Sequence, residues 1–329
     1  MKTLRARIIT QPTTTLAQLR QQFLAEKRGS GCTPKTIDYY GEVWIKLLRF
    51  IPTMYPDKDV LTLPMTCLAV KDLQSRYRIF IEDGGCGEQT ILSHMRGLRC
   101  ILKFAATIGL SGAPKIKVKN IEPPIKVTYT DSELDTLSRK PRVHDFLMYR
   151  AWIISRFTMA TSCRAGSIAG IMVQDVDLDT GFVSINIVKN RNPIILPLVA
   201  SIIKELREYI ALYRTSEDGI VMLKEPLFTT EFGEQLSADA VGRIFREYCD
   251  KLGIEKRSIH LLRHTYAKKY ITSGGDILSL KTMLGHRSLK MVNHYANLYG
   301  SDIKDLVEEH ALISHTKIKS GRKKIKAVK

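Results

Sequence analysis

The sequence predicts a mainly α-helical protein of two domains, with a small β-hairpin or sheet in the second. Three observations carry that expectation. Apolar residues recur at helical spacing through residues 12–110. The composition then breaks: residues 111–127 hold three prolines and four lysines with little periodicity. Beyond the break, the stretch 182–188 alternates in the manner of a strand between further helical segments. The expected organisation is an N-terminal tail 1–11, a helical domain 12–110, a basic linker 111–128, a mixed α/β domain 129–310 and a basic C-terminal tail 311–329.

In the first domain, Leu16, Leu19, Phe23 and Leu24 mark the first helix. Thr33 stands as N-cap of the second, with Pro34 at its first position. Its apolar face runs through Ile37, Tyr40, Val43 or Trp44, Leu47 or Leu48, and Ile51. A third helix, "VKDLQSRYRIFIED", ends at Gly84 and Gly85, and a fourth begins at "EQTIL". The segment 111–128 reads as an extended basic connection, because long structureless loops inside a compact domain are uncommon.

The second domain opens with a capping box, Thr130 followed by Glu133. The apolar helix "FLMYRAWIISRFTMATS" follows. Phe182, Ser184, Asn186 and Val188 then face one way and Val183, Ile185 and Ile187 the other. A turn is expected at 189–192, with "PIILPL" as the returning strand. Residues 199–215, 236–252, 261–273, 276–284 and 287–298 read as helices.

The formal net charge is +18 in 329 residues. A positive field of that size repels itself and is usually kept for a polyanion. No apolar run reaches the roughly 18–20 residues that span a bilayer, and the N-terminal apolar stretch is too short for a secretory signal. The basic residues are spread along the chain rather than gathered on one amphipathic helix, which favours nucleic acid over a membrane surface. "KIKSGRKKIKAVK" at the C-terminus carries seven basic residues and no acidic one, as a nucleic-acid-binding or a solubilising tail would. The six cysteines form no C-x-x-C pair and no zinc-spaced cluster, so reduced thiols, no structural metal and no cofactor are expected, in a cytoplasmic, nucleoid-associated protein.

Four clusters could do chemistry. Arg164 lies in "TSCRAGSI", on a short turn between two apolar helices. Lys189 is at the turn of the hairpin. His260 and Arg263 lie at i and i+3 in "HLLRHT". His286 follows a glycine, and Tyr295 comes nine residues later. Singly, each has an ordinary explanation: a surface arginine, a solvated turn lysine, a hydrogen-bonded structural histidine, a packing tyrosine. Together they supply what phosphodiester chemistry needs, namely fixed cations, proton carriers and a hydroxyl nucleophile.

In this order the residues resemble the tyrosine recombinase (phage integrase) family, whose pattern is Arg…Lys…His-x-x-Arg…His/Trp…Tyr. The 23 residues from Arg263 to His286 and the nine from His286 to Tyr295 match the family's spacing. Lys189 lies shortly before "ILPL", much as in the family, with Arg191 as the alternative if the turn register differs. The resemblance covers about residues 129–310, and the helical first domain agrees with the family's core-binding domain. There are departures. Ser167 stands where the family often has an acidic residue, and "TSCR" replaces the commoner T-G-x-R. Asp175 and Asp177 could take a supporting part, but more simply end a helix and open the hairpin. His264 reads as a buried structural residue and His294 has no assigned part; Tyr299, 13 residues after His286, does not fit the spacing.

The resemblance implies the roles. Arg164, Arg263 and His286 would stabilise the transition state, Tyr295 would be the nucleophile, Lys189 the general acid and His260 a proton acceptor or orienter. It further implies a 3′-phosphotyrosine intermediate, a homotetramer on double-stranded DNA, sites with inverted repeats, exchange through a Holliday junction and, in some systems, accessory proteins. Two domains joined by a basic linker suit a clamp around the duplex. The stripe Ile303, Leu306, Val307 and His310 would form a C-terminal helix that folds back on its own domain or docks on a neighbour. With only about a dozen residues before the first helix, no separate arm-binding domain is expected. Two other functions compete: a type IB topoisomerase-like enzyme, which religates the strand it cut, and a non-catalytic DNA-binding relative.

Overall fold

In the computed structural model, the described residues are 14–118, 127–185 and 194–285. The chain separates into two compact units, Met1–Pro123 and Pro124–Lys329.

The first unit is helical: α1 (Leu16–Gly29), α2 (Pro34–Met54), α3 (Leu73–Asp83) and α4 (Glu88–Thr107), with a 3₁₀ turn at Met65–Leu68. α1 starts on a capping box. The Thr15 hydroxyl accepts the Gln18 N–H at 3.3 Å, and the Gln18 side chain accepts the Thr15 N–H at 3.0 Å. Thr33 occupies the N-cap of α2 but its side chain caps nothing, its hydroxyl pairing with that of Thr36 at 2.9 Å instead. Val43, Trp44, Leu47, Phe50 and Ile51 of α2 are buried against Leu19 and Phe23 of α1, Tyr77 and Ile81 of α3 and Leu98 and Ile101 of α4. The close approach of α2 and α4 rests on Gly97: a Cβ there would lie 2.5 Å from a γ-methyl of Val43. The first part of the basic connection lies on this unit. Ile116 is buried in its core, and the Gln74 side-chain amide pairs with both backbone groups of Lys117 at 2.8 and 2.9 Å.

The second unit contains α5 (Asp131–Ser138), α6 (Phe146–Thr161), α7 (Ala165–Ala169), α8 (Ala200–Tyr213), α9 (Ala238–Lys251), α10 (Ile259–Thr272) and α11 (Ile277–Met283). The capping box of Thr130 and Glu133 opens α5. α6 is buried on nearly every side and packs against α5, α8, α9 and α10, as an apolar-all-round helix must. Arg156 of α6 forks onto Glu205 of α8 at 2.9–3.2 Å. The sheet has three antiparallel strands in the order β1 (Val176–Asp177), β2 (Phe182–Ile185), β3 (Ile194–Pro197). Val183 pairs with Leu196 and Ile185 with Ile194, so the inward faces of β2 and β3 join the core. Asp175 and Asp177 serve the local chain. Asp175 accepts the Met172 N–H at 2.9 Å, and Asp177 accepts those of Asp179 and Thr180 at 3.0 and 2.9 Å. Where α10 and α11 meet, Ala267, Ile271, Leu280 and Leu284 form a small separate core. The expected helix 287–298 and the stripe from Ile303 to His310 fall outside the described residues.

Candidate active site

The site begins where α6 stops. Ser162 takes the left-handed conformation, φ 54° and ψ 22°, and its N–H still bonds the Thr158 carbonyl at 2.8 Å. The chain leaves the helix axis there, buries Cys163, and reaches Arg164 in an extended conformation as the N-cap of α7. Burial pushes the Cys163 thiol up to about 11, against the lowering effects of the Thr161 hydrogen bond and of the Arg263 and Arg164 charges. It is therefore protonated at neutral pH.

Arg263 comes from the first turns of α10 and is 4% exposed. Its guanidinium donates to the Ser162 carbonyl at 2.8 Å and to the Leu284 carbonyl. One buried cation thus ties together the turn before Arg164, the helix that carries it and the chain leaving α11. A fork of fixed donors suits this bracing better than a lysine would.

Arg164 and Arg263 line one cleft with Cys163, Ser167, Ile185, Ile194, Leu196, Met283, Leu284 and Gly285. Two arginines and no carboxylate appear among these lining residues, so the cleft suits an anion. Ser167 faces it at the position where an acidic residue is common in the resembled family. Ile185 and Ile194 are the cross-strand pair from which the chain runs into the segment holding Lys189. Gly285 is bonded directly to His286.

The structure therefore brings two of the six expected site residues together. His260 sits on the same helix as Arg263, three residues before it, but is exposed and does not line the cleft; its ring lies 5.8 Å from that of His264 at 81°. His264, expected to be buried, is only partly so. Lys189, His286 and Tyr295, with Arg191, His294 and Tyr299, lie outside the described residues. Sequence reasoning missed the Ser162 and Leu284 carbonyls as partners of Arg263. The one signal was the serine in "TSCR", where the resembled pattern has a glycine.

A family profile described as the phage integrase family matches residues 130–301. The tyrosine recombinase XerC of Thermodesulfovibrio yellowstonii is 25% identical over 220 residues, covering 66% of this chain and 72% of that one. XerC of Chlorobaculum parvum is 29% identical over 181 residues, 52% of each chain. The chain thus spans from about half to under three quarters of the length of these curated relatives. Among solved structures, a lambda integrase dimer bound to a COC′ core site superposes with a TM-score of 0.65 at 16% identity, covering 85% of this chain and 77% of that one. The Tn1549 transposon integrase in complex with a circular intermediate DNA also gives 0.65, at 15% identity, covering 89% and 99%. Similarity at these identities speaks for the fold.

Proposed function

Because the chain belongs to the phage integrase family, we propose that it is a site-specific DNA recombinase that cuts and rejoins DNA through a 3′-phosphotyrosine intermediate. The observation that carries this is the cleft that Arg164 and Arg263 both line, with no carboxylate among its described lining residues and with Arg263 braced by the Ser162 and Leu284 carbonyls. In its walls the chain runs on one side toward Lys189 and on the other into His286.

A phosphodiester carries one negative charge and gains a second in the five-coordinate transition state. Arg164 and Arg263 supply paired N–H donors to its non-bridging oxygens, and His286 adds a third donor. The Tyr295 hydroxyl oxygen attacks phosphorus. A phenol with pKa about 10 is about 0.1% ionised at pH 7, a deficit of roughly 4 kcal/mol that nearby guanidinium charge lowers. His260, one helical turn from Arg263, takes the phenol proton. The bond from phosphorus to the 5′-oxygen breaks, and Lys189 protonates that oxygen. The tyrosyl ester keeps the phosphoryl bond, so no nucleotide is consumed. The 5′-hydroxyl of a second duplex then attacks the ester, releases Tyr295 and completes the exchange. Four copies of the chain hold two duplexes with inverted-repeat sites through a Holliday junction, in a cytoplasmic, nucleoid-associated setting, with accessory proteins in some contexts.

The test uses the full chain and a pool of nicked suicide duplexes of randomised sequence. Protein–DNA adducts that survive detergent are captured and sequenced, and the recovered site is placed on two duplexes. Adducts through the 3′-phosphate and exchanged junctions are expected. Relaxation without exchange would establish the topoisomerase-like alternative, and no adduct at all the non-catalytic one.

A further inference from the structure

The turn that carries Arg164 holds a residue in a conformation its side chain disfavours. Ser162, at φ 54°, is the one non-glycine with positive φ among the described residues. An L-residue there crowds its Cβ against the following carbonyl, and glycine takes the conformation freely. The side chain offers no compensation: it is fully buried, and its hydroxyl has no hydrogen-bond partner. The main chain does. The left-handed turn swings the Ser162 carbonyl out of the α6 direction, and the carbonyl accepts from Arg263 Nη1 at 2.8 Å.

Arg263 has five N–H donors in one rigid plane. Bonds to Ser162 on one side and Leu284 on the other fix the orientation of that plane. Ser162 lies two residues before Arg164, so the placement of Arg164 relative to Arg263 depends on this peptide.

We infer that Ser162 is a positioning residue, whose left-handed peptide holds the Arg263 guanidinium in the orientation that meets the scissile phosphate. This rests on the proposed function. Ser162 touches no substrate and acts through Arg263. The conformation matters and the hydroxyl does not, so glycine can replace serine, whereas a β-branched residue resists the left-handed region and swings the carbonyl away.

The experiment measures single-turnover adduct formation at saturating captured duplex, with the affinity for intact duplex and the melting temperature, for the wild-type chain, Ser162→Gly and Ser162→Val. Ser162→Val is expected to slow adduct formation several-fold, because a β-branched residue resists the left-handed region more than the serine that already occupies it, with unchanged DNA affinity. Ser162→Gly, the conservative variant, is expected to form adduct at least as fast as wild type and to melt higher. Should Ser162→Val fail to fold, Ser162→Thr, larger than serine by one methyl, makes the same comparison. The inference is overturned if the β-branched variants react as fast as wild type, if their loss of rate is matched by a loss of DNA affinity, or if Ser162→Gly slows as much as they do. A flat series with an active wild type overturns this inference alone. A wild-type chain that forms no adduct overturns the proposed function and this inference with it.

Discussion

The backbone N–H of Tyr129 donates to the hydroxyl of Thr265 at 3.0 Å, joining residues 136 apart in the sequence. Thr265 in turn donates to the Leu261 carbonyl at 2.8 Å. The start of the second unit is thereby fastened to α10, the helix that presents His260 and Arg263. Both residues are 3% exposed, so water does not replace the bond if it is lost. Thr265→Val keeps the shape and leaves the Tyr129 N–H orphaned, at an expected cost of about 1–3 kcal/mol. Urea unfolding measures it. Thr265→Ser, which retains the hydroxyl, should lose less, and equal losses for the two would refute the bond's assigned part.

Gly97 sets the spacing of α2 and α4. Helix propensity alone favours Gly97→Ala by about 1 kcal/mol. A Cβ would, however, meet both Val43 γ-methyls, at 2.5 and 2.8 Å, and overpacking costs about 1–3 kcal/mol. The variant should therefore melt lower, and adding Val43→Ala should recover part of the loss. A higher melting temperature for Gly97→Ala alone would mean that the helices are not in this contact.

Glu133 gives the second unit a dependence on pH. Burial raises its pKa, but the Lys256 ammonium at 2.7 Å and the Thr130 N–H at 2.7 Å outweigh burial and hold it below the ordinary 4.5. A carboxyl depressed by folding contributes stability that is present above its unfolded pKa and is lost as pH falls through its folded value. Wild type should exceed Glu133→Gln in stability at pH 7, and the gap should close below 4.5. A gap that does not change with pH would show that the pair is not ionic.

The net charge of +18 should make DNA affinity fall steeply with salt. Six to ten phosphate contacts correspond to a loss of about 10³–10⁵-fold between 50 and 200 mM salt. A shallow slope would argue against an electrostatic interface.

The features read correctly from sequence are those set by local pattern. The periodic apolar residues of α2 and α4, the apolar run of α6 and the box of Thr130 with Glu133 need no distant partner to be recognised. At Thr33 the pattern placed the N-cap, and the structure adds that its side chain bonds the Thr36 hydroxyl rather than the helix backbone. The box of Thr15 with Gln18 was legible in the same way and was not anticipated. The two-residue strand β1 is too short to show a period. The site divides along the same line. Residue type and spacing singled out Arg164 and Arg263, which line one cleft, whereas the carbonyls that brace Arg263 belong to the backbone, which every residue shares, and become visible only once α6, α10 and α11 converge. Spacing placed His260 on a face with Arg263, yet one is exposed and the other buried, because the helix edge falls between them.

The most direct measurement concerns the nucleophile. Tyr295 lies nine residues after His286 and Tyr299 lies 13 after it. Tyr295→Phe and Tyr299→Phe are each incubated with the captured suicide duplex, with adduct and DNA affinity measured side by side. Tyr295→Phe is expected to bind the duplex and form no covalent adduct, while Tyr299→Phe still forms it. An adduct that persists in Tyr295→Phe, or vanishes only in Tyr299→Phe, would contradict the assignment of Tyr295 as the residue that attacks DNA.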